Sequence, residues 1–243
     1  MLSGLYSAAT ALSVAEHNQE LIAHNLAHIN VPGFRRSVVA IESFDNTLDA
    51  YYNADSPLGH GSQIAEVATD FSPGNNVETG RKLDVAIIGD GFFTVQGPEG
   101  PLYTRNGGWQ VTETGAIVTS TGMPVLAQDG PLALPDGLFS DQLLIAPDGA
   151  VSAGGQQIGQ LRLVTFADLS QLVPAGTTLF TAPPEVIPQE GNVLVRQGAR
   201  EQSNVSPVGE LVQMIIAMRQ HEAAQRVLHT IDQAIQQNTN PQA

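Results

Sequence analysis

Near the start of the chain, apolar residues recur in steps of three and four: Leu5, Ala8, Leu12, Ala15, Ile22, Leu26 and Ile29, with Gln19 the polar member of the series. That spacing draws one narrow stripe along a helix, and a stripe so narrow is buried only by a second helix. It predicts a helix from Leu2 to about Ile29, stopped by the Asn30, Pro32 and Gly33 that follow. A second pattern of the same kind closes the chain. Ser206 before Pro207 predicts an N-cap followed by proline at the first helical position, with Glu210 in the first turn where the helix's positive end favours a carboxylate. The stripe runs through Val208, Leu211, Val212, Ile215 and Met218, thins between Arg219 and Glu222, then resumes at Ala224, Val227, Leu228, Ile231 and Ile235, ending near Gln237. The two helices are each other's predicted partners, as a coiled coil. The simpler alternative is a pair of core helices in an ordinary globular domain.

Between them the period changes. The stretches 83–96, 101–135, 141–166 and 192–198 are short β-branched and aromatic runs, broken by turn pairs such as Asp129-Gly130, Asp136-Gly137, Asp148-Gly149 and Gly154-Gly155. They predict a central antiparallel all-β domain, so the class is α+β. The expected divisions are an N-terminal helix at 1–34, an extended or irregular connector at 35–80, a β domain at 81–200 and a C-terminal helix at 201–243, with 183–191 as a long loop.

Charge sharpens this picture. The 243 residues carry 24 Asp and Glu against 10 Lys and Arg, a formal net charge of −14. Sequence-independent nucleic-acid binding depends on clustered basic residues, so such a partner is excluded, and an anionic membrane is disfavoured for the same reason. The acid is concentrated between residues 37 and 200, whereas both helical ends are nearly neutral. Neutral apolar ends on an acidic body can pack against further copies without strong repulsion. There are no cysteines, hence no disulfide and no thiolate metal site. The first basic residue is Arg35, so no basic start precedes an apolar run, and no cleaved secretory signal is expected.

Candidate chemistry is sparse. Glu20, His24 and His28 fall at i, i+4 and i+8, which on a continuing helix would offer a divalent metal two imidazoles and a carboxylate. The helix ends at the last of them and no fourth ligand follows, so structural or solvated histidines are expected and no metal is assigned. Gly89-Asp90-Gly91 follows an apparent strand, but a strand rather than a helix comes next, which removes the anion-binding helix end that a dinucleotide cradle requires. A tight turn before Phe92 and Phe93 is expected instead. Asn204-Val205-Ser206 matches a glycosylation sequon, and a helix cap explains it equally well. No catalytic residues, cofactor or small-molecule substrate are expected.

Three stretches together resemble the axial proteins of the bacterial flagellar rod and hook. NLAHINVPGF (25–34) is similar to that family's N-terminal signature, LDVAIIGDGFFTVQ with YTRNGGW (83–96 and 103–109) to its internal motif, and SNVSPVGELVQMI with RQHEA (203–215 and 219–223) to its C-terminal signature. His28, Trp109, Arg200 and Gly209 depart from the usual residues. TDFSPGNNVETG (69–80) is most similar to the proximal rod members, with the distal rod members next. The resemblance implies a non-enzymatic structural subunit of the basal-body rod, self-assembling into a helical axial tube that transmits torque. Its terminal helices would line the inner tube as a coiled coil, ordering as neighbours bury them. It further implies export unfolded through the flagellar type III apparatus, assembly in the periplasmic space, and itself and neighbouring rod proteins as partners. The residues expected to carry the assembly interface are Leu5, Leu12, Ile22, Leu26, Ile215, Met218, Leu228 and Ile231. Asn25, Pro32, Gly33 and Phe34 are expected to set the exit from the first helix. The other function class considered is a secreted β-domain adhesin or binding protein with helical oligomerisation arms.

Overall fold

A computed structural model describes residues 2–43, 62–135, 137–138, 140–191 and 193–239. It is mostly β, with one long helix near each end: α1 spans Leu2–Ala27 and α2 spans Pro207–Thr239. The chain divides into two compact units, one of residues 1–27, 37–70 and 205–243, the other of residues 28–36 and 71–204.

In the helical unit both helices stop and start where the local chemistry requires. α1 ends a few residues ahead of Pro32, whose ring disfavours helix in the residue before it. At α2, the backbone N–H of Glu210 donates to the Ser206 carbonyl at 2.9 Å and the Gly209 N–H to the Ser206 hydroxyl at 3.4 Å, so Ser206 caps the helix that Pro207 opens. The same unit holds an antiparallel ladder of strands β1 (Ser37–Ser43) and β2 (Ser62–Thr69), pairing Ser37 with Thr69 and Ser43 with Ser62 and broken by a bulge between Ala40 and Ile41. The stretch that the sequence suggests as an irregular connector thus includes a paired ribbon; its part at 44–61 lies outside the described residues.

The second unit is antiparallel throughout. Its largest sheet has six strands in the order Val173–Pro174, Leu179–Thr181, Pro101–Thr104, Phe92–Gln96, Leu163–Thr165 and Gln189–Glu190. Thus the stretch expected as a loop at 183–191 supplies an edge strand. Strand Val85–Ile88 pairs with Leu194–Gln197, and Leu143–Ile145, Ala150–Ala153 and Gln156–Gln160 make a separate three-stranded sheet. Alternation along Phe92–Gln96 feeds two cores. Phe93 and Val95 enter a large aliphatic cluster around Trp109, whereas Phe92 joins Tyr103, Val164, Phe166, Leu172 and Phe180 in an aromatic one. Phe93 meets Trp109 edge to face at 5.1 Å. The expected turn before Phe92 is present: Gly91 has φ +153, and a Cβ there would lie 2.7 Å from the Val193 side chain.

Phe93→Ala would remove a ring that is 1% exposed from the centre of the larger core. The expected cost is about 3–5 kcal/mol, because neighbours around a rigid strand collapse only partly into the cavity. Urea unfolding followed through Trp109, the single tryptophan of the chain, measures it.

Candidate assembly interface

α1 and α2 pack against each other within the helical unit. Two cross-helix contacts fix their relation: the Asn25 amide lies 3.5 Å from a carboxylate oxygen of Glu210, and the Glu16 carboxylate lies 3.4 Å from Nε2 of His221. Moving back along α1 therefore moves forward along α2, so the helices are antiparallel. On α1 the buried positions are Ala8, Ala15, Ile22 and Asn25; on α2 they are Glu210 and Ala217, continued by half-buried Met214, His221, Ala224, Leu228 and Ile231. The α2 series advances by four and three without interruption, the spacing of a helix seam.

Against this seam the expected interface residues separate into two groups. Ile22 is buried in it, and Leu12, Leu26, Leu228 and Ile231 are half-buried. Ile215 and Met218 remain 49% and 46% exposed, as do Val208, Leu211 and Val212 to a similar or greater degree. The side chain of Leu5 lies outside the described residues. The first half of α2 thus turns its small and polar residues toward α1 and its apolar stripe outward, the reverse of the pairing that the stripe suggests. Ala217, at 0% exposed, explains the choice: a methyl group permits closer helix approach than Ile215 or Met218 would.

The residues expected at the helix exit do separate jobs. Asn25 is 1% exposed; its amide donates to the Ser37 carbonyl at 2.9 Å and its oxygen accepts from the Ser37 N–H at 3.0 Å, tying the start of β1 back to α1. In the β unit, Gly33 has φ +71 and a Cβ there would fall 2.4 Å from the Asn106 nitrogen, so only glycine fits. Phe34 is 2% exposed and stacks on His28 at 5.0 Å, and Pro32 is half-buried. His28 is therefore an aromatic neighbour of Phe34, and Glu20 approaches His17 at 3.3 Å. Among the described residues no group of three His, Asp or Glu converges as a metal site.

Next to Phe34 lies a feature that the sequence does not announce. Arg35 is 2% exposed and its Nη2 donates to Glu201 at 2.7 Å; Arg105 Nη1 approaches the other carboxylate oxygen at 3.4 Å, and the Gly74 N–H donates at 2.9 Å. Arg35 Nη1 also donates to the Ser72 carbonyl at 3.0 Å, the Arg36 N–H donates to Asn204 at 2.8 Å, and the Asn204 amide donates to Ser72. Residues 36, 71 and 204 are ends of the β unit's two segments, so three of its ends converge on one buried carboxylate. Burial pulls the Arg105 guanidinium below its ordinary range, and the attraction of Glu201 pulls it back up. Arg105 also lies over the Phe92 ring at 5.3 Å. Nearby, fully buried Asp84 accepts from Thr79 at 2.6 Å and faces Arg200 at 3.2 Å and Arg81 at 3.3 Å. A signal for these hubs existed in the chain: with only 10 basic residues in all, an arginine inside the YTRNGGW run is conspicuous.

Two family descriptions match separate stretches of the chain. The profile of the flagellar hook protein FlgE/F/G D1 domain matches residues 86–153, and that of the flagellar basal body rod FlgEFG protein C-terminal region matches 196–240. A flagellar basal-body rod protein FlgG of Buchnera aphidicola is 32% identical over 97% of this chain and 98% of its own length. One from Bacillus subtilis is 31% identical over 99% of each. The chain belongs to the flagellar basal-body rod protein family. A FlgF rod protein of Salmonella typhimurium is 32% identical over 94% of each chain, so rod proteins of both kinds match to the same degree. The family is a structural one and places this rod protein in the flagellar basal body; an adhesin finds no support among its relatives.

Glu201→Ala would leave Arg35 and Arg105 as buried cations without a counter-charge, and the expected loss is about 3–5 kcal/mol of unfolding free energy. Urea denaturation read at Trp109 should show it, with Glu201→Gln losing less because an amide oxygen still accepts from one guanidinium.

Proposed function

We propose that this rod protein builds a helical axial tube by packing the outward face of α2 against neighbouring rod subunits, with α1 and α2 paired as an antiparallel coiled coil inside each subunit. The observation that carries the reading is the uncovered stripe Val208, Leu211, Val212, Ile215 and Met218, on a helix whose opposite face is already in contact with α1. Five large apolar side chains in contiguous turns form a patch of the kind that marks an interaction surface. One face already occupied and a second left open is the arrangement a head-to-tail contact needs, and such contacts propagate as a filament when the rotation does not close. Near-neutral ends favour this, because they stack without the repulsion an acidic body would impose.

In this reading Leu12, Ile22, Leu26, Leu228 and Ile231 hold the pair together and Ile215 and Met218 hold one subunit to the next. The tube transmits torque, and the subunit reaches the periplasmic space through the flagellar type III export apparatus. It has no catalytic role and requires no cofactor.

Replacing Ile215 and Met218 together by Asp is expected to abolish rod assembly and swarming while leaving urea unfolding at Trp109 unchanged. Electron microscopy of basal bodies and a motility assay decide it; complete rods in the double variant would refute the reading.

A further inference from the structure

The apolar content of the α1/α2 seam leaves its axial alignment open. Ala8 and Ala15 recur at a heptad interval on α1, and Ala217 and Ala224 do so on α2, so a slip of seven residues would again set small side chains against small or aliphatic ones. One buried layer breaks this translational equivalence, beside the more exposed Glu16–His221 contact. Asn25 and Glu210, 1% and 2% exposed, are the polar residues buried in the seam among the described residues. We infer that the Asn25–Glu210 layer is the register lock of the helix pair, setting the height at which α2 presents its apolar stripe.

The hydrogen-bond inventory supports this. The Asn25 oxygen accepts from the Ser37 N–H and one amide hydrogen serves the Ser37 carbonyl, which ties the residue to β1. The second amide hydrogen is then available for Glu210, at 3.5 Å. A carboxylate removed from water needs such donors, and a slip of one heptad would place Ala217 opposite Asn25 or carry the layer past the start of α2. Only the observed alignment lets Asn25 and Glu210 meet. A buried polar pair of this type contributes little to affinity and much to alignment. The alignment is a property of the single subunit; its consequence for stacking rests on the function proposed above.

The absence of cysteine makes the test direct. Full-length chains carrying Glu16→Cys with His221→Cys report the observed register, since those residues face each other across the seam. Glu16→Cys with Met214→Cys and Glu16→Cys with Leu228→Cys report slips of one heptad in either direction. Oxidative cross-linking within one subunit is measured on purified protein and on isolated basal bodies. With Glu210 in place the native pair should exceed both slipped pairs by about tenfold or more. Glu210→Leu, which leaves the Asn25–Ser37 bonds intact, should spread cross-linking over native and slipped pairs, and Glu210→Gln, which still accepts from Asn25, should restore the native preference. Retention of the native preference in Glu210→Leu overturns the inference, as does loss of all three cross-links in both preparations, which would assign the layer to association instead. Because the readout lies within a subunit, it is independent of whether the Ile215 and Met218 variants assemble.

Discussion

One carboxylate organises the β unit. Glu201 receives Arg35, Arg105 and the Gly74 N–H, and its own carbonyl receives the Gly33 N–H at 2.9 Å. Buried charges are costly unless their hydrogen bonds are complete, so this arrangement constrains every segment that contributes a donor. Strands that alternate apolar residues toward two cores could slide relative to one another at modest cost; a hub with fixed donors does not permit it. Gly33 fits beside it only because it has no side chain, and Phe34 and Arg35 are thereby placed in consecutive buried positions.

The helical unit is governed by a different economy of shape. Over its first half α2 has two faces of unequal character, a narrow one of glutamate, methionine and alanine that meets α1, and a broad one of valine, leucine and isoleucine that is exposed among the described residues. Ala8, Ala15 and Ala217 allow close approach along the seam, and Val208, Leu211, Val212, Ile215 and Met218 stay exposed on the other side of α2. The pairing of α1 with α2 therefore uses the less apolar side of the first half of α2.

Much of the fold was legible because the punctuation is local. Ser206-Pro207 and Pro32-Gly33 mark helix ends through backbone geometry alone, and the aspartate-glycine turns divide the β runs. The inward face of α2 was not legible, since 211–218 reads LVQMIIAM and is apolar around most of its circumference, so periodicity cannot choose a side. It is chosen instead by Ala217 and by Asn25, which lies 185 residues from its partner Glu210. Arg35 and Glu201 are 166 residues apart, and a charged residue in a linear sequence looks the same whether solvated or buried. The β1–β2 ribbon escaped because the two strands, Ser37–Ser43 and Ser62–Thr69, are separated by a long interval in the chain.

The separation between Arg35 and Glu201 also sets an order of events. A chain emerging N-terminus first presents Arg35 early, but its counter-charge appears only after most of the protein has been made, and non-local closures of this length are slow to form. Until then the Arg35 bond to the Ser72 carbonyl is the shorter-range tie between the unit's two segments. The tie that closes the β unit is therefore among the last it can make, since it joins its short first segment to the end of its second.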